Sequence, residues 1–346
     1  MSEKLKIGIT MGDPASIGPE ITVRAFADKS LYEMCSPVVI GDAAVMAEAL
    51  KIVGKPEIRI NSIDKISDAK FEYGTIDVYD MKLVDLSNFE RGTVSVTSGE
   101  AAFQYVKTVI ELALAGEVDA TVTNALNKEA INLAGHHYSG HTEIYADLTK
   151  TAKYSMMLAH ENLRVVHVST HVSLRKACDL VKKERVLEVI RIAYKACKDL
   201  GIENPKIGVA GLNPHSGENG LFGDEEILEI IPAINQAKQE GIIVEGPIPP
   251  DTIFSKAKGG MYDIVVAMYH DQGHIPLKVL GFVYNQKEQK WDAVSGVNIT
   301  LGLPIIRVSV DHGTAFDQAG KGTASELSLK NAIEYSILLA NSKKNN

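Results

Sequence analysis

The chain has 346 residues, of which 45% are hydrophobic and 23% charged, enough for two domains or one large α/β unit with a well-buried core. A formal charge of −8 and a pI near 5.7 argue against a nucleic-acid or anionic-membrane surface, and no apolar run can span a bilayer. Cys35, Cys178 and Cys197 are odd in number and widely spaced, which argues against a disulfide framework or CxxC zinc site. With no signal-type apolar region at the N-terminus, the expected location is the cytoplasm.

Short β-rich runs alternate with amphipathic stretches. Lys6–Thr10, Pro37–Ile40, Ile58–Ile60 and Thr75–Val78 read as strands. Pro19–Asp28, Ala43–Val53 and Ser98–Ala115 read as helices, with Ser98 the expected N-cap of the third. Val118–Thr123 is a further strand. Leu187–Leu200 and Asp224–Gln239 are helices stopped by Gly201 and Gly241, and a last helix over Glu326–Asn341 runs into a lysine-rich tail. Such alternation implies right-handed βαβ units around a mostly parallel sheet. The expected division is a first α/β subdomain over 1–123 plus 302–346, a second over 124–301, and a cleft between them.

Three apolar runs each end on a histidine: Val165–His171, Ile207–His215 and Ile264–His270. Each reads as a buried parallel strand, and ligands of open α/β sheets collect beyond the carboxyl ends of strands. A single such imidazole usually just satisfies a hydrogen bond. Three together, from separate strands, suit one divalent metal with an open position. Asp271 and Glu218, beside two of these histidines, are candidates for orienting an imidazole or for acid–base work; an exposed loop carboxylate is an equal reading for Glu218.

Ser139-Gly140-His141-Thr142-Glu143 precedes an amphipathic stretch, so a helix start there is a candidate anion site or a simple N-cap. Lys278, Asn298 and Arg307 each flank an apolar run and could together hold a phosphate or carboxylate. Thr10–Pro14 with Ile17–Glu20 describes a tight strand-to-helix connection, read as architectural. Asp311–Ala315 with Ala319–Ala324 is a glycine-punctuated loop that allows close backbone approach to a ligand. Neither a GxGxxG nor a P-loop glycine pattern occurs.

These residues resemble the 4-hydroxythreonine-4-phosphate dehydrogenase family, within the isocitrate/isopropylmalate dehydrogenase-like superfamily. The likeness runs nearly end to end: GDPxxIGPE at Gly12–Glu20, GHTE at Gly140–Glu143, STH at Ser169–His171, GLNPHxGE at Gly211–Glu218, AMYHDQG at Ala267–Gly273 and VNITLGLPxIRxSVDHGTA at Val297–Ala315. The resemblance implies a two-subdomain α/β/α fold and a homodimer with a shared active site. His171, His215 and His270 would bind one divalent metal (Zn, Mg, Mn or Co), one or more of them supplied across the dimer interface. His141, Thr142, Lys278, Asn298 and Arg307 would contact a phosphorylated hydroxy-acid substrate, and Asp251, Asp271 and Lys278 would carry catalysis. Gly12, Asp13 and His312-Gly313-Thr314-Ala315 would meet NAD or NADP. The implied reaction oxidises a secondary alcohol, then releases carbon dioxide. Its substrate is either 4-phosphohydroxy-L-threonine, in pyridoxal phosphate biosynthesis, or D-threonate or D-erythronate 4-phosphate. The stretch Thr123–Ala130 leans toward the sugar-acid branch. A metal-dependent hydrolase or aldolase without a dinucleotide is the rival reading. Ser16 replaces a usual glycine, and Val283–Gly296 is longer than the usual link, reading as a surface excursion or a lid.

Overall fold

The computed structural model describes residues 4–286 and 290–345. In chain order the elements are β1 (Lys6–Thr10), α1 (Gly18–Phe26), α2 (Lys29–Met34), β2 (Ser36–Gly41), α3 (Ala43–Val53), β3 (Arg59–Ile63), β4 (Thr75–Asp80), α4 (Val96–Leu114), β5 (Ala120–Thr123), α5 (Lys128–Leu133) and α6 (His141–Leu148). They continue with β6 (Ser155–His160), β7 (Leu163–His167), α7 (Leu174–Leu180), α8 (Lys183–Asp199), β8 (Ile207–Ala210), α9 (Ile231–Gln239), β9 (Val244–Ile248), α10 (Pro250–Lys258), β10 (Ile264–Ala267) and α11 (His270–Gly281). The last are β11 (Phe282–Asn285), β12 (Lys290–Val294), β13 (Val297–Leu301), β14 (Arg307–Val310) and α12 (Leu327–Asn345). Among the described residues no helix is long and apolar enough to cross a membrane.

The chain divides into two units, the first Met1–Thr151 with Ala293–Val297 and Leu303–Lys344, the second Ala152–Asp292 with Asn298–Gly302. Residues 124–151, expected in the second unit, therefore pack with the first. Hydrogen bonds account for this: Asn124 Nδ2 donates to Thr10 O and Thr22 Oγ1, Asp13 N to Ala125 O, and Tyr145 OH to Thr121 Oγ1.

In unit 1 the strand order is β3-β4-β2-β1-β5-β14, every pairing parallel. Ile7, Ile9, Val38, Val39, Ile76 and Val122 are fully buried in it, the both-faces burial that covered parallel sheets produce. In unit 2 the order is β6-β7-β10-β8-β9, antiparallel only at β6-β7. Its core gathers Leu158, Leu163, Val165, Val265, Ile253 and Leu277.

Several expectations shift. Ser95, not Ser98, caps α4: its hydroxyl accepts from Ser98 N, while Ser98 is buried one turn in. The three histidine-ended strands stop earlier, at His167, Ala210 and Ala267. His171 and His215 lie in the following loops and His270 opens α11. The strand-ending runs were overlong because their apolar and small residues continue into hydrogen-bonded loop bases. The helix expected over Asp224–Gln239 begins as a π-type turn, Glu226–Ile230, before α9. In the long link, β11 and β12 form a two-stranded sheet; residues 287–289 of that link lie outside the described residues. Cys35, Cys178 and Cys197 are free thiols, and burial pushes Cys35 and Cys197 up to about 12.

Candidate active site

In unit 2 the adjacent parallel strands β7, β10 and β8 bring the three histidine loops to one sheet end. Their bases are tied together. Val168 N donates to Ala267 O, and Ser169 Oγ donates to Met268 O at 3.2 Å. Gln272, buried, accepts from Met268 N through Oε1 at 2.7 Å and donates from Nε2 to Gly211 O at 2.8 Å. One amide thereby joins the loop of His270 to that of His215.

The His171 and His270 rings lie 5.7 Å apart, in a cleft of about 450 Å³ whose wall includes Thr170, Tyr269 and Asp271. Two imidazoles on one tetrahedral zinc, each bonded at about 2 Å, have centres roughly 5 Å apart. The pair therefore suits a shared cation. Asp271 Oδ1 is 2.6 Å from His270 Nδ1, which fixes the ring so that Nε2 carries the lone pair a metal needs. Behind it His274 stacks on His270 at 3.6 Å, with its Nδ1 2.8 Å from His270 O. A Cβ at Gly273 would stand 2.3 Å from His167 Nε2, so only glycine lets α11 settle on β7.

His215 sits apart from this pair in a left-handed turn, with φ of 52°, 54°, 80°, 43° and 56° from His215 to Asn219. Each non-glycine residue there costs about 1–2 kcal/mol. Glu226, 1% exposed, offsets that cost: Oε1 accepts from Leu212 N at 2.7 Å and Asn213 N at 2.8 Å, and Oε2 from Asn213 Nδ2 at 2.9 Å. Among the described residues of one chain, no three His, Cys, Asp or Glu side chains are grouped to hold a metal ion. Glu218 is exposed in the same turn. Asp251 is exposed at the start of α10. Lys278 is exposed with its ammonium 5.1 Å from the Phe282 ring centre, and Asn298 Nδ2 points to Met156 Sδ at 2.8 Å.

Unit 1 holds the other candidates. Arg307, 2% exposed at the start of β14, donates from Nη2 to Thr123 Oγ1 at 3.0 Å and lies 5.7 Å from the Tyr145 ring centre. Burial lowers its guanidinium to about 10, still cationic at neutral pH. His141 and Thr142 open α6, where first-turn backbone N–H groups and the helix dipole favour an anion. The His141 Nε2 is shut from solvent and has no partner among the described residues. Burial, then the nearby Arg307 and Lys128, holds its pKa well below the usual 6.5, so the ring is neutral and able to donate. Lys128, whose Cε would lie 3.9 Å from a Cβ placed on Gly140, was not singled out in the sequence; its place at the start of α5 after Asn127 was the available signal.

Asp13 is fully buried; Oδ1 accepts from Ala15 N at 2.9 Å while Oδ2 has no partner among the described residues. Burial raises it to about 6. Gly12 precedes it with φ +80°. Ser16 completes this turn, donating to Asp13 O at 2.6 Å and accepting from Gly18 N at 3.0 Å, in keeping with the architectural reading. The glycine loop is anchored on buried Glu20, which accepts from Gly320 N at 2.5 Å and Gly322 N at 2.7 Å. Ile17 N donates to Thr314 O at 3.2 Å. His312 Nδ1 lies 2.9 Å from Gly313 O, and its Nε2 has no partner among the described residues. Gly313 is exposed and Ala315 has φ +46°.

A cation-capable imidazole pair in one α/β unit and an anion-friendly helix start in another are the parts of a small-molecule enzyme, not of a binding scaffold. A family model described as pyridoxal phosphate biosynthetic protein PdxA matches residues 33–336. A relative from Oceanobacillus iheyensis, provisionally named D-threonate 4-phosphate dehydrogenase, is 50% identical over 99% of this chain and 100% of its own. One of the same provisional name from Symbiobacterium thermophilum is 46% identical over 96% of each chain. The crystal structure of a 4-hydroxythreonine-4-phosphate dehydrogenase from Klebsiella pneumoniae superposes with a TM-score of 0.86, at 45% identity over 98% of each chain. The chain belongs to the PdxA family of dehydrogenases.

Proposed function

We propose that the chain oxidises the secondary alcohol of a 4-phosphorylated hydroxy acid, D-threonate 4-phosphate foremost, with NAD as hydride acceptor and loss of carbon dioxide. The observation that carries this reading is the tying of three histidine loops at adjacent strand ends, with His171 and His270 at 5.7 Å. The substrate preference rests on the relative that is 50% identical; 4-phosphohydroxy-L-threonine is the second reading, favoured by the Klebsiella structure.

In this reading Arg307, neutral His141, Thr142 and the α6 N–H groups bind the phosphate, joined by Lys278 and Asn298. His171, His215 and His270 hold a divalent metal, which when bound supplies positive charge that stabilises developing oxyanions. Asp271, fixed against His270, or Asp251 takes the hydroxyl proton as the C–H hydride leaves for NAD. Breakage of the bond to the carboxylate then leaves its electron pair on the ketone oxygen, and a proton from the same group completes dihydroxyacetone phosphate. Gly12, Asp13 and His312–Ala315 line the dinucleotide.

A second copy of the chain completes the metal set. Each histidine is followed by exposed apolar residues: Val172 and Leu174, Leu221 and Phe222, Ile275 and Val279. Apolar side chains left in solvent beside each histidine are surface that a second copy would cover. The expected state is a homodimer, and Val279→Asp should shift sedimentation to a monomer; an unchanged mass would refute it.

The test is NAD reduction with D-threonate, D-erythronate and 4-hydroxythreonine phosphates, with and without divalent ion. Metal-dependent NADH formation is expected, fastest with the threonate ester. Metal-dependent product without NADH would overturn it in favour of a hydrolase or aldolase.

A further inference from the structure

We infer that Glu226 is a positioning residue for the metal site, acting through the loop that carries His215. This rests on the metal reading above and adds to it a residue remote in sequence from the three imidazoles. Glu226 lies in the π-type turn Glu226–Ile230, and its carboxylate faces the loop rather than solvent. Both oxygens are engaged by that loop, through Leu212 N, Asn213 N and Asn213 Nδ2. Glu225 Oε2 takes the second Asn213 amide contact, at 2.7 Å. A Cβ at Gly217 would stand 2.8 Å from Glu226 Oε2, so the left-handed turn wraps onto the carboxylate itself. The turn spans five residues from His215, a conformation that L-residues leave unless something holds it. Gln272 and Glu226 both grip the approach to this turn from its N-terminal side: Gln272 holds Gly211, Glu226 the next two amides. Releasing Glu226 lets His215 wander while the His171–His270 pair stays in place.

The experiment compares wild type, Glu226→Ala, Glu226→Gln and a control, Glu229→Gln. Glu229 lies in the same turn but bonds Lys182 and Lys183 instead. Co²⁺ titration followed by its visible absorption gives affinity, and amide hydrogen exchange reports the loop. Loss of a partner that orients a metal ligand weakens metal binding by about 10–100-fold. Glu226→Ala is expected to show such a loss together with faster exchange at Leu212 and Asn213. Glu226→Gln, which keeps one acceptor, should fall between it and wild type, and Glu229→Gln should match wild type. If Glu226→Ala loosens the loop yet binds Co²⁺ as wild type does, or Glu229→Gln weakens binding equally, the positioning role is overturned and the metal reading stands. A wild-type chain that takes up no Co²⁺ overturns both. Should the alanine variant fail to fold, Glu226→Gln decides, and wild-type affinity in it overturns the role.

Discussion

Each unit uses a buried glutamate to hold a glycine-bearing loop beside its sheet, but the two leave their chemistry in opposite states. Glu20 in unit 1 grips the amides of Gly320 and Gly322, and Glu226 in unit 2 those of Leu212 and Asn213. Elsewhere in unit 1, Asp13 and Arg307 are buried, and the pKa of each is displaced by desolvation. In unit 2, His171 and His215 remain exposed, with apolar neighbours also in solvent. A polar site closed by its own fold stores desolvation cost; one left open at an apolar rim stores unmade contacts. The two therefore answer differently to mutation.

The largest effect belongs to the open site. His215→Ala is expected to cut metal-dependent turnover by about 10³-fold, the several kcal/mol that metal charge stabilisation supplies. Circular dichroism melting should be unchanged, and retained activity in a chelator-treated enzyme would break the contrast. Next comes Asp13, whose carboxyl burial pushes up from the usual 3.8 to about 6. The folded state then holds its proton longer, so stability falls as pH rises from 4 to 6 and stays low above, by about 3 kcal/mol. Asp13→Asn should recover about that much at pH 8 and none below pH 4, measured by urea unfolding. Arg307→Lys should raise KM for the phosphorylated substrate about 10–100-fold, since a charge-assisted hydrogen bond contributes roughly 1.5–3 kcal/mol. Smallest is Ser16→Gly, expected to cost about 1 kcal/mol of stability for its lost hydrogen bonds and to leave turnover alone.

Much of the fold was legible. β1 and α3 have the expected bounds because period-2 and period-3.6 apolar patterns were uninterrupted. The helix α11 was not, since Gly273 and Pro276 interrupt its pattern; the glycine is there for contact with His167, which no local signal reports. The antiparallel β6-β7 pair was also missed, hidden in a stretch whose alternation suggested parallel crossovers. At the site, the histidine loops were legible from their apolar run-ins, and His141 from its helix-start pattern. Glu226 was not, because an acidic residue in an amphipathic stretch reads as a solvated face; only the fold turns its carboxylate inward. Lys128 was hidden for a like reason.

The bridging amide of Gln272 also has a sense of direction. Its oxygen must face a donor and its nitrogen an acceptor, so the same shape carrying a second oxygen would set lone pair against lone pair at Gly211. Conversion to glutamate, whether by a codon change or by slow hydrolysis of the amide in an ageing sample, alters hardly any volume. It would nonetheless unfasten one histidine-bearing loop from its neighbour and leave the other junctions shut.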